Sequence, residues 1–305
     1  MQPLPIYEET PPPPRWIAYA ELLRLPLAAT LAGLTLAGTL LAGARFPTLP
    51  ALLAAILAAS ALAAGTSALH DLQDYERDRR DRPERALPAG RIPPSEARVL
   101  AWGLIGAGLI LALIASVTSL PAVTLWLAAR LLFDAGARRF FLLSFVLPAV
   151  PFPAALWLGI AAVPEAWLDH PLPLATVAAY ALAVTLLREP LRTPSLPVLR
   201  ALAVATLHLL FAGGLLVWQA FTAPFVDPLG FWPFFVILFL NLAPGWTRIF
   251  AQPTRRSAEV TAHLAALGSL WVGAALAGAY AGLASGVLVG LLYFPVLALA
   301  QRLRV

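Results

Sequence analysis

Long apolar runs, set apart by short arginine-rich loops, leave this chain few folds to choose from. A run of about 20 apolar residues is long enough to cross the hydrocarbon of a bilayer as a helix. Such runs occur at residues 17–41, 50–69, 95–117, 121–139, 140–162, 174–187, 198–220 and 231–249, and 258–300 is long enough for two. The pattern predicts an all-α, polytopic membrane helical bundle with nine or ten transmembrane helices. Mean hydropathy is +0.79, far from a soluble protein's. One membrane domain is expected over 15–305, behind a disordered, proline-rich lead at 1–14 that does not read as a cleavable signal peptide. The absence of cysteine excludes disulfides and thiolate metal sites.

The basic residues are all arginine, and their distribution predicts topology. They cluster in loops 70–95, 130–139, 188–200 and 248–257, whereas the opposite face carries Arg45 with Glu165, Asp169 and Asp227. That asymmetry assigns the charged loops to the cytoplasm and favours an even number of spans. The net charge of +5 therefore reads as a topological signal, with membrane lipid and not nucleic acid as the partner. Arginine without lysine, with abundant alanine and leucine, suggests a GC-rich genome and a bacterial inner membrane.

The densest charge lies in HDLQDYERDRRDRPERALPAGRI, residues 70–92, which holds six of the sixteen acids and six arginines. Charge at a membrane-helix end is costly unless it meets water or does chemistry. If the second helix continues past His70, Asp71, Asp74 and Asp78 fall at i, i+3 and i+7, on one stripe. Carboxylates in register repel one another unless a cation lies between them. Mg²⁺ is the natural candidate, since it takes carboxylates together with phosphate oxygens. Arg82, Arg85 and Arg91 follow, and guanidinium groups grip phosphate in a fork. Together they point to a diphosphate carried on a lipid. A solvated loop with incidental ion pairs would explain the arginines but not the acids in register.

This block resembles the first aspartate-rich motif of the UbiA superfamily of intramembrane prenyltransferases, NDxxDxxxD followed by an arginine- and proline-rich tail. Asp71, Asp74 and Asp78 fall on the motif aspartates, and Arg82, Pro83, Arg85, Pro88, Gly90 and Arg91 match the tail. His70 stands where asparagine is usual, and Ala86 where proline is common. The resemblance implies Asp71, Asp74 and Asp78 as catalytic metal ligands for Mg²⁺. It implies a prenyl diphosphate donor and a lipophilic, aromatic or hydroxyl-bearing acceptor. Around them, His70, Arg82, Arg85, Arg91, Asp134, Arg138, Arg139, Arg188 and Glu189 are candidate substrate-binding residues. The family's second aspartate motif reads AVTLLREPLRTPSLP here, with the single acid Glu189 between Arg188 and Arg192. This reduction, with LLFDAGARR and NLAPGWTRIFAQPT, is similar to the EboC-type UbiA-like branch. The alternative function is a catalytically reduced protein that binds a prenyl lipid or partners in an export or assembly system. The oligomeric state is open.

Further expectations are structural. Pro148, Pro151 and Pro153 should break the fifth span. Gly282, Gly286 and Gly290 read as a small-residue packing stripe. His208 and His263 read as packing residues, and Trp102, Trp126 and Trp157 as candidate walls of an apolar tunnel.

Overall fold

A sharp bend near the start of the chain decides where the half-buried Arg24 goes. Helices α1 (Arg15–Leu22) and α2 (Leu25–Leu41) form a broken pair bent by 51°. Arg24, between them, adopts φ 46°, in the left-handed region that β-carbon-bearing residues rarely occupy. The structure, a computed structural model, describes residues 14–42, 47–192, 198–222, 227–252 and 254–303. Side chains at 188–192, 198–202, 204 and 255 are not among those described. The expected disordered lead therefore lies outside the described residues, apart from Pro14.

The chain continues as α3 (Leu49–Gln73), α4 (Tyr75–Asp81), α5 (Pro94–Ala115), α6 (Leu120–Asp134), α7 (Phe141–Ala149) and α8 (Pro151–Ala161). It ends as α9 (Pro171–Arg192), α10 (Val198–Thr222), α11 (Pro228–Ala251), α12 (Arg255–Ala281), α13 (Leu283–Leu291) and α14 (Tyr293–Leu303). Among the described residues the regular elements are all helical. Eight helices among the described residues are long and apolar enough to cross a membrane, and α1–α2 taken as one broken span makes nine. The apolar part of α9, Pro171–Leu187, is shorter.

α12, α3 and α2 are among the most buried helices, while among the candidate spans α5, α10 and α11 have the smallest buried share. An outward apolar face is expected where lipid is the solvent. The helices approach closely where side chains vanish. A β-carbon on Gly38 would come within 2.0 Å of the Leu156 carbonyl oxygen, and one on Gly159 within 1.9 Å of that of Thr35, so α2 and α8 pack backbone to backbone.

The proline-rich span breaks as expected, between α7 and α8, and Thr185 donates to the Phe145 carbonyl at 2.9 Å in the broken stretch. The glycine stripe holds in part. Gly286 and Gly290 lie tight against Phe234 and Trp271, but Gly282 is the positive-φ joint between α12 and α13 and touches no neighbour. The tryptophan expectation finds support at Trp157 alone, which lines an apolar groove. Trp126 is fully buried core, Trp102 faces outward, and Trp157 stacks on Trp167 beside a shallow apolar groove.

Candidate active site

The charged block is built on the end of α3. That helix runs past His70 as far as Gln73, and a one-residue interruption at Asp74 (φ −88°, ψ 5°) separates it from α4. Asp71 is on α3, Asp74 sits at the joint and Asp78 lies in α4, and Asp71 and Asp78 both approach Arg85, at 3.8 Å and 2.6 Å. Asp74 and Asp78 line a cavity of about 1260 Å³, and Asp71 is not part of its wall.

The loop after α4 is not free. Ala86, Leu87 and Ile92 are buried in a small apolar cluster with Ala18, Leu22, Leu69, Ala97 and Ile105, pinning it to α1, α3 and α5. Gly90, at φ 69°, turns the chain so that the Arg91 N–H reaches the Ala86 carbonyl at 3.0 Å. The turn also sends the Arg91 side chain to the Glu21 carboxylate and the Glu84 carbonyl, away from the cavity. Arg91, expected at the diphosphate, ties the loop to α1.

Each motif carboxylate is paired with an arginine from another segment. Arg24 donates to Asp71 at 2.6 Å, Arg138 to Asp74 at 2.6 Å and Arg85 to Asp78 at 2.6 Å. Arg85 also lies 3.8 Å from Asp71. Arg138 and Arg139 reach the site because Gly136, at φ 115°, ends α6 in a turn that larger residues would strain. Arg139 and Arg82 line the cavity as well. Burial pushes the Asp74 carboxyl up, but the Arg138 hydrogen bond and the charges of His70, Arg138 and Arg77 together hold it below the usual aspartate value.

Behind this wall is a second chain of polar contacts. His70 Nδ1 lies 2.8 Å from Asp134 Oδ1, and Asp134 Oδ2 lies 3.2 Å from Arg130 Nε. His70 Nε2 lies 3.6 Å from Asp74. The Asp134 side chain is 1% exposed, so it does not reach the cavity, whereas His70 lines it. Phe133 supports the pair, its ring 5.9 Å from His70 and 5.6 Å from the Arg130 guanidinium.

The rest of the cavity belongs to other helices. Arg24, Leu27 and Thr30 contribute from the start of α2, and Phe141 and Ser144 from α7. Arg256, Glu259, His263, Leu264 and Leu267 come from α12, and Leu297 and Gln301 from α14. Sequence reasoning counted Arg24 as a topological charge and His263 as packing, and gave Glu259 no role. The signal for the last two was their i, i+4 spacing. Arg188 and Glu189, the remnant of the second motif, have side chains outside those described.

The chemistry of the donor set suits magnesium shared with a phosphate. Asp74 and Asp78 offer hard carboxylate oxygens to the cavity, beside arginines able to take phosphate oxygens. Magnesium in such sites uses one or two carboxylates plus substrate oxygens, not a complete protein cage. Consistent with that, no group of three His, Asp or Glu side chains converges as a metal site among the described residues.

Comparison with known proteins agrees with this geometry. Residues 31–266 match the UbiA prenyltransferase family. No curated protein matches significantly. Among solved structures, one described in work on digeranylgeranylglyceryl phosphate synthase in membranes superposes with a TM-score of 0.61 at 16% identity. It covers 88% of this chain and 99% of its own. A UbiA homologue from Archaeoglobus fulgidus, bound to GPP and Mg²⁺, superposes with a TM-score of 0.58 at 15% identity, covering 89% and 99%. At these identities the likeness speaks for the fold. The family match spans well over half the sequence, and this integral membrane protein therefore belongs to the UbiA prenyltransferase family.

Proposed function

We propose that this protein is an intramembrane prenyltransferase, moving an isoprenyl group from a prenyl diphosphate to a lipophilic acceptor. The observation that carries the reading is one cavity whose wall joins Asp74 and Asp78 to Arg82, Arg85, Arg138 and Arg139 and which also carries apolar lining from Leu27, Phe141, Leu264, Leu267 and Leu297. A diphosphate needs the first part and a hydrocarbon tail the second.

Arg85 and Arg138 start the cycle paired with carboxylates, which keeps their forks in place. On donor binding they turn to the diphosphate oxygens, freeing Asp78 and Asp74. Magnesium, held by those two carboxylates and the diphosphate, would supply Lewis-acid neutralisation of the leaving group. The allylic C1–O bond breaks and its electron pair leaves on the diphosphate. The acceptor's oxygen or aromatic carbon forms the new bond to C1, and its proton passes to the released diphosphate. The arginines stabilise the charge that develops, at positions fixed before reaction. Asp134 orients His70, which supports Asp74.

The homologue bound to GPP and Mg²⁺ supports the donor and ion by family likeness. The loop charges support a cavity mouth on the cytoplasmic side, and the LLFDAGARR segment supports membership of the EboC-type branch. A second reading, a prenyl-lipid-binding protein without turnover, is favoured by the arginine already paired with every motif carboxylate. The test is purified protein in nanodiscs with labelled farnesyl diphosphate, Mg²⁺ and a lipid-extract acceptor. Diphosphate release that is lost in Asp74→Asn supports transfer. Mg²⁺-dependent binding without release would favour the second reading.

A further inference from the structure

The cavity has a wall that donor recognition does not use. Arg256, Glu259 and His263 lie at i, i+3 and i+7 on α12, which sets them along one stripe of that helix. All three line the cavity, joined from α14 by Gln301. The stripe is held in register by a capping box in which Thr254 and Ser257 satisfy each other's backbone N–H groups. Most of the rest of α12 is buried against its neighbours. His263 lies about 12 Å along the helix from its first residue. An ionisable side chain that deep in a spanning helix, facing a cavity, marks a functional site by default.

The two walls differ in charge. The motif wall carries an excess of arginine suited to a polyanion. On the α12 stripe Arg256 is offset by Glu259, and the groups farther along, His263 and Gln301, both donate and accept hydrogen bonds. A carboxylate here accepts a hydrogen bond from a hydroxyl and repels another carboxylate. Beyond His263 the wall is apolar, with Leu264 and Leu267.

We propose that this stripe is the acceptor site and that the acceptor is a neutral, hydroxyl-bearing amphiphile, its head on Glu259, His263 and Gln301 and its chain along Leu264 and Leu267. The proposal rests on the prenyltransferase reading above and deepens it by naming the acceptor's chemistry. An anionic aromatic acceptor would meet Glu259 with the wrong charge.

The test uses the full chain in nanodiscs, with a diazirine-bearing analogue of 1-O-octylglycerol as photoprobe. Labelled residues are mapped by mass spectrometry, and farnesyl diphosphate binding is measured separately. The expected result is labelling within 256–267 that is competed by 1-O-octylglycerol and not by 4-hydroxybenzoate. Glu259→Gln and His263→Ala should each weaken competition about tenfold, the loss of one hydrogen bond to a charged or buried group. Both variants should retain farnesyl diphosphate binding, which also shows that they fold. Labelling elsewhere, equal competition by 4-hydroxybenzoate, or variants that compete like the wild type would each overturn the acceptor site. Failure of the wild type to bind farnesyl diphosphate would instead remove the donor reading, and the labelling pattern would still decide whether α12 holds a hydroxylated amphiphile.

Discussion

The charged wall of the cavity is assembled from helix ends and a loop, whereas the other wall is one stripe of a helix that runs through the middle of the bundle. Asp74 and Asp78 sit at and just past the joint of α3 and α4, Arg85 follows in the loop, and Arg138 lies past the end of α6. Ending helices there lets ionised groups reach water and one another, which the hydrocarbon would not allow. The α12 wall keeps its backbone bonded internally and admits few polar groups. The difference teaches a division of labour. The charged groups proposed to meet the donor are carried on a helix joint, a loop and a turn, and the groups of the other wall are carried on a continuous helix.

The largest effect should come from the charged wall. Asp74→Asn or Asp78→Asn is expected to lower diphosphate release about a thousandfold, measured with labelled farnesyl diphosphate. The Asp71→Asn substitution should cost distinctly less, because Asp71 is paired with Arg24 and does not line the cavity. Equal losses at all three would mean that donor binding brings Asp71 into the cavity wall.

Next in size are the arginines. Arg138→Gln should raise the KM for farnesyl diphosphate about tenfold to a hundredfold, the cost of one charged hydrogen bond to phosphate. Arg91→Gln should leave that KM nearly unchanged and lower thermal stability instead, since Arg91 ties the loop to Glu21 and the Glu84 carbonyl. A large KM change in Arg91→Gln would show that the loop swings over the cavity when the donor binds.

The apolar side should respond through size alone. Leu297 on α14 lines the cavity and is only partly buried. Leu297→Trp should reduce turnover of geranylgeranyl diphosphate relative to geranyl diphosphate about tenfold, the effect of losing space for a few methylenes. Competition assays with the two donors measure that ratio directly. An unchanged ratio would put the prenyl chain on another face of the cavity.

How much of this was legible follows the same division. The motif aspartates, Arg85 and Arg138 stood out because charges are scarce in an apolar chain and these lie in short contiguous blocks. The interruption at Asp74 was not legible, because the stretch around it, HDLQDYERD, has neither glycine nor proline to mark a break. Arg91 matched the motif by spacing, yet its direction depends on the positive φ of Gly90 and on where Glu21 packs. Arg24 looked like an orientation signal until the 51° bend aimed it at Asp71. Glu259 and His263 are far from the motif in sequence and adjoin the same cavity through tertiary packing, which a spacing rule on one segment does not reach. The break at Pro148 to Pro153 was legible, since proline acts locally.

The smallest expected effect separates the two walls by pH. The Asp74 carboxyl is held below the usual aspartate value in the folded protein, with burial opposing and the Arg138 hydrogen bond favouring the ionised form. A carboxylate so depressed contributes stability that is fully present above its unfolded value near 3.9 and is lost as pH falls through the folded value. The thermal midpoint of Arg138→Gln should therefore lie below the wild type's by a constant margin above about pH 5, with the gap closing below about pH 4. Leu297→Trp, which adds no titratable group and touches the apolar wall, should differ from the wild type by a margin that does not change over the same range. Thermal unfolding in detergent at stepped pH measures both gaps. A gap for Arg138→Gln that stays constant into acid would mean that Arg138 supports the fold by packing its aliphatic stem and that the Asp74 pair is incidental. The charged wall would then hold the donor with fewer groups than the structure brings to it.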